Sequence, residues 1–473
     1  MTVEITGRDL TLDDLTAVAR RGEPVVLTEQ ALEAMMEASS LAEHIFERGL
    51  PTYGLTTGLG AQKRTSLRRD DDTFGRRQIE ESHVGQGPTA SREAVRAAML
   101  VLVNQLAGGT TCVRPALAER LVRALNEGET PPVKLLGSLG ASDLAQMADI
   151  ARGVLGDVPL APGEGLALIN SSAYGTGLAA LALADAARLL DAADVAAALA
   201  LEGFAANLST LDPEVAHARP DAVLARTLER FHDLLDGSYL WTEGAARNLQ
   251  DPLTFRSTLP IQAAGRVALE HALGRLAIEL NAAQGNPLVS VRTGRIFSTS
   301  VYEVVALSAA LDYTRTAFMS VLSSASERSV KLLDTPWSGL PTGLLPQGGP
   351  DLGLSIHAIT AQSLGAEANL LAQPVSFTVL STSGAEGIED RASLLPLSAR
   401  RLSEMVGLGE GIVAIELVVA AQAVDVRGVG PLGGATGQAH ALIREAIRTL
   451  VAGEPPPTDV TPVIALIRSG ALG

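Results

Sequence analysis

Residues 176–206, TGLAALALADAARLLDAADVAAALALEGFAA, are mostly alanine and leucine. Such a run reads as one long helix, because alanine and leucine are the best helix formers. The same pattern recurs at 91–107, 260–283, 302–333, 354–372, 397–425 and 435–452, with Ser91 as the expected cap of the first and Gly108-Gly109 as its end. Hydrophobic residues make up 47% of the 473 residues and aromatics only 3%, a core better suited to closely packed helices than to a sandwich. The expected architecture is all-α, an elongated bundle of long helices with a loop-rich active-site region at its N-terminal end. Three segments follow from the loops: 1–175, 176–452, and a Pro-rich linker with a short tail, 453–473. Helices apolar on several sides are usually covered by neighbouring subunits, so an oligomer is expected.

The remaining bulk features narrow the function. Asp185, Arg188, Asp191 and Asp194 interrupt the most apolar stretch, 175–201, which argues against a membrane span. The net charge is −16 and no basic stripe is present, so nucleic acid is not an expected partner. The single cysteine, Cys112, fits a reducing compartment, and the N-terminus lacks the apolar run of a signal peptide. A cytoplasmic enzyme is the expectation. The seven histidines form no pair at metal-ligand spacing, so no metal site is expected.

Two loops carry candidate chemistry. "YGLTTGLGAQK" (53–63) does not have the spacing of a phosphate loop, and its glycines suit a mobile turn-rich segment. Tyr53 at its edge is either a structural anchor or an acid/base group on a lid. In "GSLGASDLAQM" (137–147), Ser142 or Asp143 is placed to cap a helix running through the apolar residues that follow.

Eight stretches, in order, resemble blocks of the histidine and aromatic amino acid ammonia-lyase family. They are the two loops above, "ESHVGQG" (81–87), "EGLALIN" (164–170), "QDPLTFR" (250–256), "ELNAAQGNPLV" (279–289), "SERSVKLLD" (326–334) and "GIEDRAS" (387–393). The resemblance implies a fumarase/aspartase-like helical core and a homotetramer whose active sites combine loops from several subunits. It implies Tyr53 as base and Asn170 with Arg256 as the substrate-carboxylate clamp. It further implies His83 near the substrate side chain, with Gln250 and Glu389 lining the rest of the pocket. In the family an Ala-Ser-Gly tripeptide cyclises to 4-methylideneimidazol-5-one, an electrophile that captures the substrate.

This chain departs from the family at the reacting centre. It reads Ala141-Ser142-Asp143, one glycine short, and ring closure needs the compression that glycine allows. Leu253 stands where the family has a tyrosine, Phe297-Ser298 where it has Phe-His, and Arg391 where it has histidine. The expected function is therefore a carbon–nitrogen lyase without the internal electrophile. Its substrate is a histidine-like or aromatic amino acid, or a betaine that carries its own leaving group, as for ergothionase. Ser142 and Asp143 then line the pocket. The alternatives are an electrophile-dependent ammonia-lyase or 2,3-aminomutase, with Ala141-Ser142-Asp143 as precursor, and a non-catalytic ligand-binding homologue. Asn170 and Gln250 also read as buried amides, and Glu389 as an ion-pair partner of Arg391.

Overall fold

A computed structural model describes residues 2–68, 71–346, 350–377 and 384–473. Small parts of the irregular stretches 51–90 and 334–353 thus lie outside the described residues. The chain is mostly helical, and among the described residues the strands form three two-stranded pairs. Val3–Ile5 runs parallel to Val25–Leu27, while Gln86–Thr89 pairs antiparallel with Lys134–Leu136, and Leu288–Ser290 with Arg295–Phe297.

The chain divides into two compact units, each assembled from separated stretches. The first holds Met1–Ala184, Ala272–Leu311 and Pro374–Arg400; the second holds Asp185–His271, Asp312–Gln373 and Arg401–Gly473. This grouping does not follow the linear division at 175 and 452. The helices Ala173–Phe204, Thr258–Asn281, Val305–Leu333 and Leu395–Arg427 contribute residues to both units. All four match the expected long helices to within a few residues.

In the first unit the central helix is Arg92–Ala107, capped as expected by Ser91, whose hydroxyl accepts from the Ala94 N–H. Every residue from Ala94 to Ala107 is buried. Arg96 is among them, and its guanidinium is satisfied by the carbonyls of Val18 and Leu125. The stretch 164–204 is long and apolar enough to cross a membrane, but 94% of its most apolar window is buried inside the protein.

In the second unit one expected helix is shorter than its sequence pattern. The helix Gly434–Ala446 stops well before 452. Buried Gln422 explains the early end, because its amide donates to the Leu450 carbonyl at 3.1 Å and accepts from the Leu450 N–H at 3.0 Å. A tertiary partner takes the backbone groups that a continuing helix needs. Beyond the Pro-rich segment the chain is not a loose tail. The helix Thr461–Ser469 buries Val463 and Ile467, and Arg468 pairs with Glu410 at 2.7 Å.

Arg328 and Glu416 form a fully buried ion pair in this unit, with Nε 2.5 Å from Oε1. Burial raises the Glu416 carboxyl, and Arg328 opposes that shift. A buried pair of this kind fails badly when halved, because the surviving charge is left unpaired. Arg328→Met is expected to cost about 3 kcal/mol or more in denaturant unfolding. Converting both residues to apolar side chains is expected to recover most of that loss.

Candidate active site

The site is built in the first unit, around a cavity of about 590 Å³. Its walls include Tyr53, Ser142, Asn170 and Glu389, four of the residues singled out in the sequence, together with Ala141 and Arg391.

Tyr53 sits in a tight turn. Gly54 has φ +69°, a backbone conformation that favours glycine, and a Cβ there would also press on the end of the Leu166 side chain. The Gly60 N–H donates to the Tyr53 hydroxyl oxygen at 3.1 Å. A backbone donor aimed at that oxygen suits a phenol that acts as an acceptor or, when ionised, as a base. The loop is fastened from outside by Lys63, whose ammonium lies 2.7 Å from Glu386.

The serine loop folds in a way the sequence reading did not anticipate. Neither Ser142 nor Asp143 caps the helix Leu144–Leu155 with its side chain. Asp143 occupies the cap position, but its carboxylate is turned inward and fully buried. It accepts from the Ser138 hydroxyl at 2.5 Å and from the Gly175 N–H at 2.7 Å. Those buried donors outcompete the helix end for the carboxylate. Ser142 adopts the left-handed conformation, φ +66°, which is strained for a residue with a side chain. Its hydroxyl donates to the Asn170 amide oxygen, and the Asn170 amide nitrogen donates to the Asn286 carbonyl at 2.7 Å.

His83 is not among the cavity's lining residues, although its neighbour Ser82 is. Its Nδ1 lies 2.5 Å from Oδ1 of Asp149, a carboxylate with no exposed side-chain surface. The other Asp149 oxygen accepts from the Lys134 N–H at 2.8 Å. This buried acid orients the ring and fixes which nitrogen faces outward. Phe297 is half-buried on its hairpin, with the Arg295 guanidinium 4.9 Å from its ring centre, and it does not line the cavity. Gln250, Leu253 and Arg256 belong to the second unit and are absent from the lining set. All three are exposed, and the Gln250 amide oxygen accepts from Arg256 Nη1 at 2.9 Å in the orientation that satisfies both groups.

Three contributors were missed in the sequence. Asp149 is a lone carboxylate in the apolar helix "LAQMADIARG", a signal that was available. Asn286 lies inside a family block but supplies only its backbone oxygen, which side-chain reasoning overlooks. Tyr302 lines the cavity and belongs to no recognised motif. Among the described residues, no group of three or more His, Cys, Asp or Glu side chains gathers as metal ligands would.

The sequence profile of the family described as aromatic amino acid lyase matches residues 10–159 and 155–445. Histidine ammonia-lyase from Treponema denticola is 34% identical over 94% of this chain and 92% of its own length. Histidine ammonia-lyase from Symbiobacterium thermophilum is 33% identical over 98% of this chain and 96% of its own. The chain belongs to the aromatic amino acid lyase family.

Two solved structures are similar to this chain over its whole length. Ergothionase from Treponema denticola, in complex with desmethyl-ergothioneine sulfonic acid, matches with a TM-score of 0.93 and 25% identity, over 100% of this chain and 99% of that one. Histidine ammonia-lyase from Trypanosoma cruzi matches with a TM-score of 0.92 and 26% identity, over 100% and 94%.

Burial pushes the Asp143 carboxyl up to about 6 from its ordinary 3.8, against the opposing pull of its hydrogen bonds from Ser138 and Gly175. Between these values the folded lyase holds a proton that the unfolded chain has released. The stability tied to this proton is therefore complete below about pH 4 and lost as pH rises through about 6, by at most about 3 kcal/mol. Asparagine at 143 keeps an acceptor for the Gly175 N–H and never ionises. The melting temperature of Asp143→Asn relative to the parent is expected to rise from pH 5 to pH 8 in thermal scans; a constant difference would refute the assignment.

Proposed function

We propose that this lyase eliminates an amine from a histidine-like amino acid or its betaine without a 4-methylideneimidazol-5-one group. One observation carries the reading. Ring closure would use the Asp143 backbone nitrogen as nucleophile, and that N–H donates to the Ser171 carbonyl at 2.8 Å. The Asp143 side chain is tied at both oxygens, and its carbonyl accepts from Met147 N–H at 2.9 Å in the first turn of the helix. Cyclisation would break these bonds and carry a buried carboxyl with it. The residues present do not fit the group, so no step is routed through it.

Without an electrophile to activate the amine, the substrate must supply a good leaving group. A trimethylammonium satisfies this, because trimethylamine departs neutral with the bonding pair. Tyr53 acts as the base and takes the β-proton, the C–H pair becomes the new double bond, and the C–N bond breaks with its pair leaving on trimethylamine. Atoms and charge balance without a redox partner. The cavity of about 590 Å³ has room for a trimethylated histidine beside Tyr53. Asn170 keeps one amide hydrogen for the substrate carboxylate, and the Arg391 guanidinium in the same wall suits such a group.

We further propose a cytoplasmic homotetramer with active sites shared between subunits. The exposure of Leu253 (62%) and of the neighbouring Leu249 (95%) supports it, since apolar side chains this bare are usually covered in an assembly.

The experiment has two parts. Intact mass spectrometry of the purified chain is expected to give the encoded mass. A deficit of two waters within Ala141–Asp143 would instead favour an electrophile-dependent ammonia-lyase or aminomutase. Incubation with histidine betaine is expected to release trimethylamine and an acrylate absorbing in the ultraviolet. Tyr53→Phe is expected to slow this release by at least about 100-fold, the usual worth of a positioned base. Full biological activity of Tyr53→Phe would point to a non-catalytic ligand-binding homologue.

A further inference from the structure

The reading above leaves open how the site recognises an amine with no N–H to donate. A primary ammonium is held by hydrogen-bond acceptors. A quaternary ammonium is held by electron-rich ring faces and a counter-charge.

The cavity contains both elements. Its lining includes two tyrosines, Tyr53 and Tyr302, although the whole chain has only five. It includes one carboxylate, Glu389, and one guanidinium, Arg391, among the described residues. A betaine is a permanent zwitterion, and this wall offers a counter-charge for each end.

Tyr302 is fixed in place by its backbone. The Ser172 hydroxyl donates to its carbonyl at 2.9 Å, and the next residue, Glu303, pairs with Ala141 of the serine loop in an isolated β-bridge. The phenol is half-buried and lies close enough to Glu389 and Tyr53 to feel both electrostatically. Burial first, then Glu389 and Tyr53, raise its pKa, so it remains a neutral ring at physiological pH. A neutral phenol beside a carboxylate is a poor base but a good face for a cation. The family's tyrosine in Gln-Asp-Pro-Tyr is Leu253 here, so this second phenol enters from a different part of the chain.

We infer that Tyr302, with Tyr53 and Glu389, forms a cation box that selects an alkylated ammonium over a free one. The inference rests on the proposed betaine substrate, but it is tested by binding alone. Tetramethylammonium and ammonium chlorides are titrated calorimetrically into the full-length lyase and its variants.

Tetramethylammonium is expected to bind at least about tenfold more tightly than ammonium. Tyr302→Phe keeps the ring and is expected to bind tetramethylammonium within about threefold of the parent. Tyr302→Leu and Glu389→Gln are expected to weaken it by about tenfold. Tyr302→Met replaces the leucine variant if that one does not fold. Unchanged binding in the leucine or methionine variant would overturn the inference. So would an equal loss in Tyr302→Phe, which would mean that the hydroxyl rather than the ring makes the contact. The expected binding pattern without trimethylamine release from any betaine would leave the box standing and sink the elimination reading. Trimethylamine release with a silent Tyr302→Leu would do the reverse.

Discussion

The buried carboxylate of Asp143 is the point on which the site depends. It receives one hydrogen bond from Ser138 within its own loop and one from Gly175 in the first turn of the helix Ala173–Phe204. At the same residue the backbone N–H reaches Ser171, and the helix Leu144–Leu155 begins. One side-chain bond and one backbone bond at this residue therefore tie the serine loop to the stretch 171–175, and the bond from Ser138 closes the loop on itself. Burying an acid costs free energy, and the raised pKa measures that cost. Two donors offset part of it, and the result is a loop with little freedom to rearrange.

The strain at Ser142 makes sense against this anchor. A serine in the left-handed region is held there only when its neighbours over-determine the backbone. Asp143 fixes the chain on one side. Gly140 fixes it on the other: its φ is +82°, and a Cβ would lie 2.3 Å from the Ser393 hydroxyl, which donates to its carbonyl. Ser142 is thereby aimed at Asn170, and Asn170 at Asn286, so the amide that faces the cavity is oriented from both ends.

Much of this was legible in the sequence, for identifiable reasons. The helices were readable because alanine and leucine recur at helical spacing without competing signals, and Ser91 announced its own cap. The end of the helix at Ala446 was not readable, because the competitor is Gln422, distant in sequence and visible only after folding. Within the site, Tyr53, Ser142, Asn170 and Glu389 lay in motif blocks and meet in one cavity. The local reading of Ser142 and Asp143 as caps failed. Capping preference describes a helix end facing water, and here other partners claimed both side chains: Ser138 and Gly175 donate to Asp143, and Asn170 accepts from Ser142. Tyr302 carried no motif, and only its place in the cavity wall gives it a role.

The missing glycine has two consequences that point the same way. It removes the residue whose flexibility a cyclising tripeptide requires, and it puts in that place a side chain able to lock the loop open-chained. Under the proposed reading the site forms no electrophile and does not activate an amine by attack, so the leaving group must be ready in the substrate itself. Permanent alkylation provides it, and it also changes what recognition must look like. The amine end no longer offers hydrogens, whereas its charge cannot be titrated away. A wall with a carboxylate, two phenols and a guanidinium answers that charge distribution with fixed charges and ring faces rather than with a network of acceptors. On the proposed reading, the change at the serine loop and the composition of the cavity are two sides of one chemical constraint: a protein that does not activate the leaving group must select substrates that already carry one.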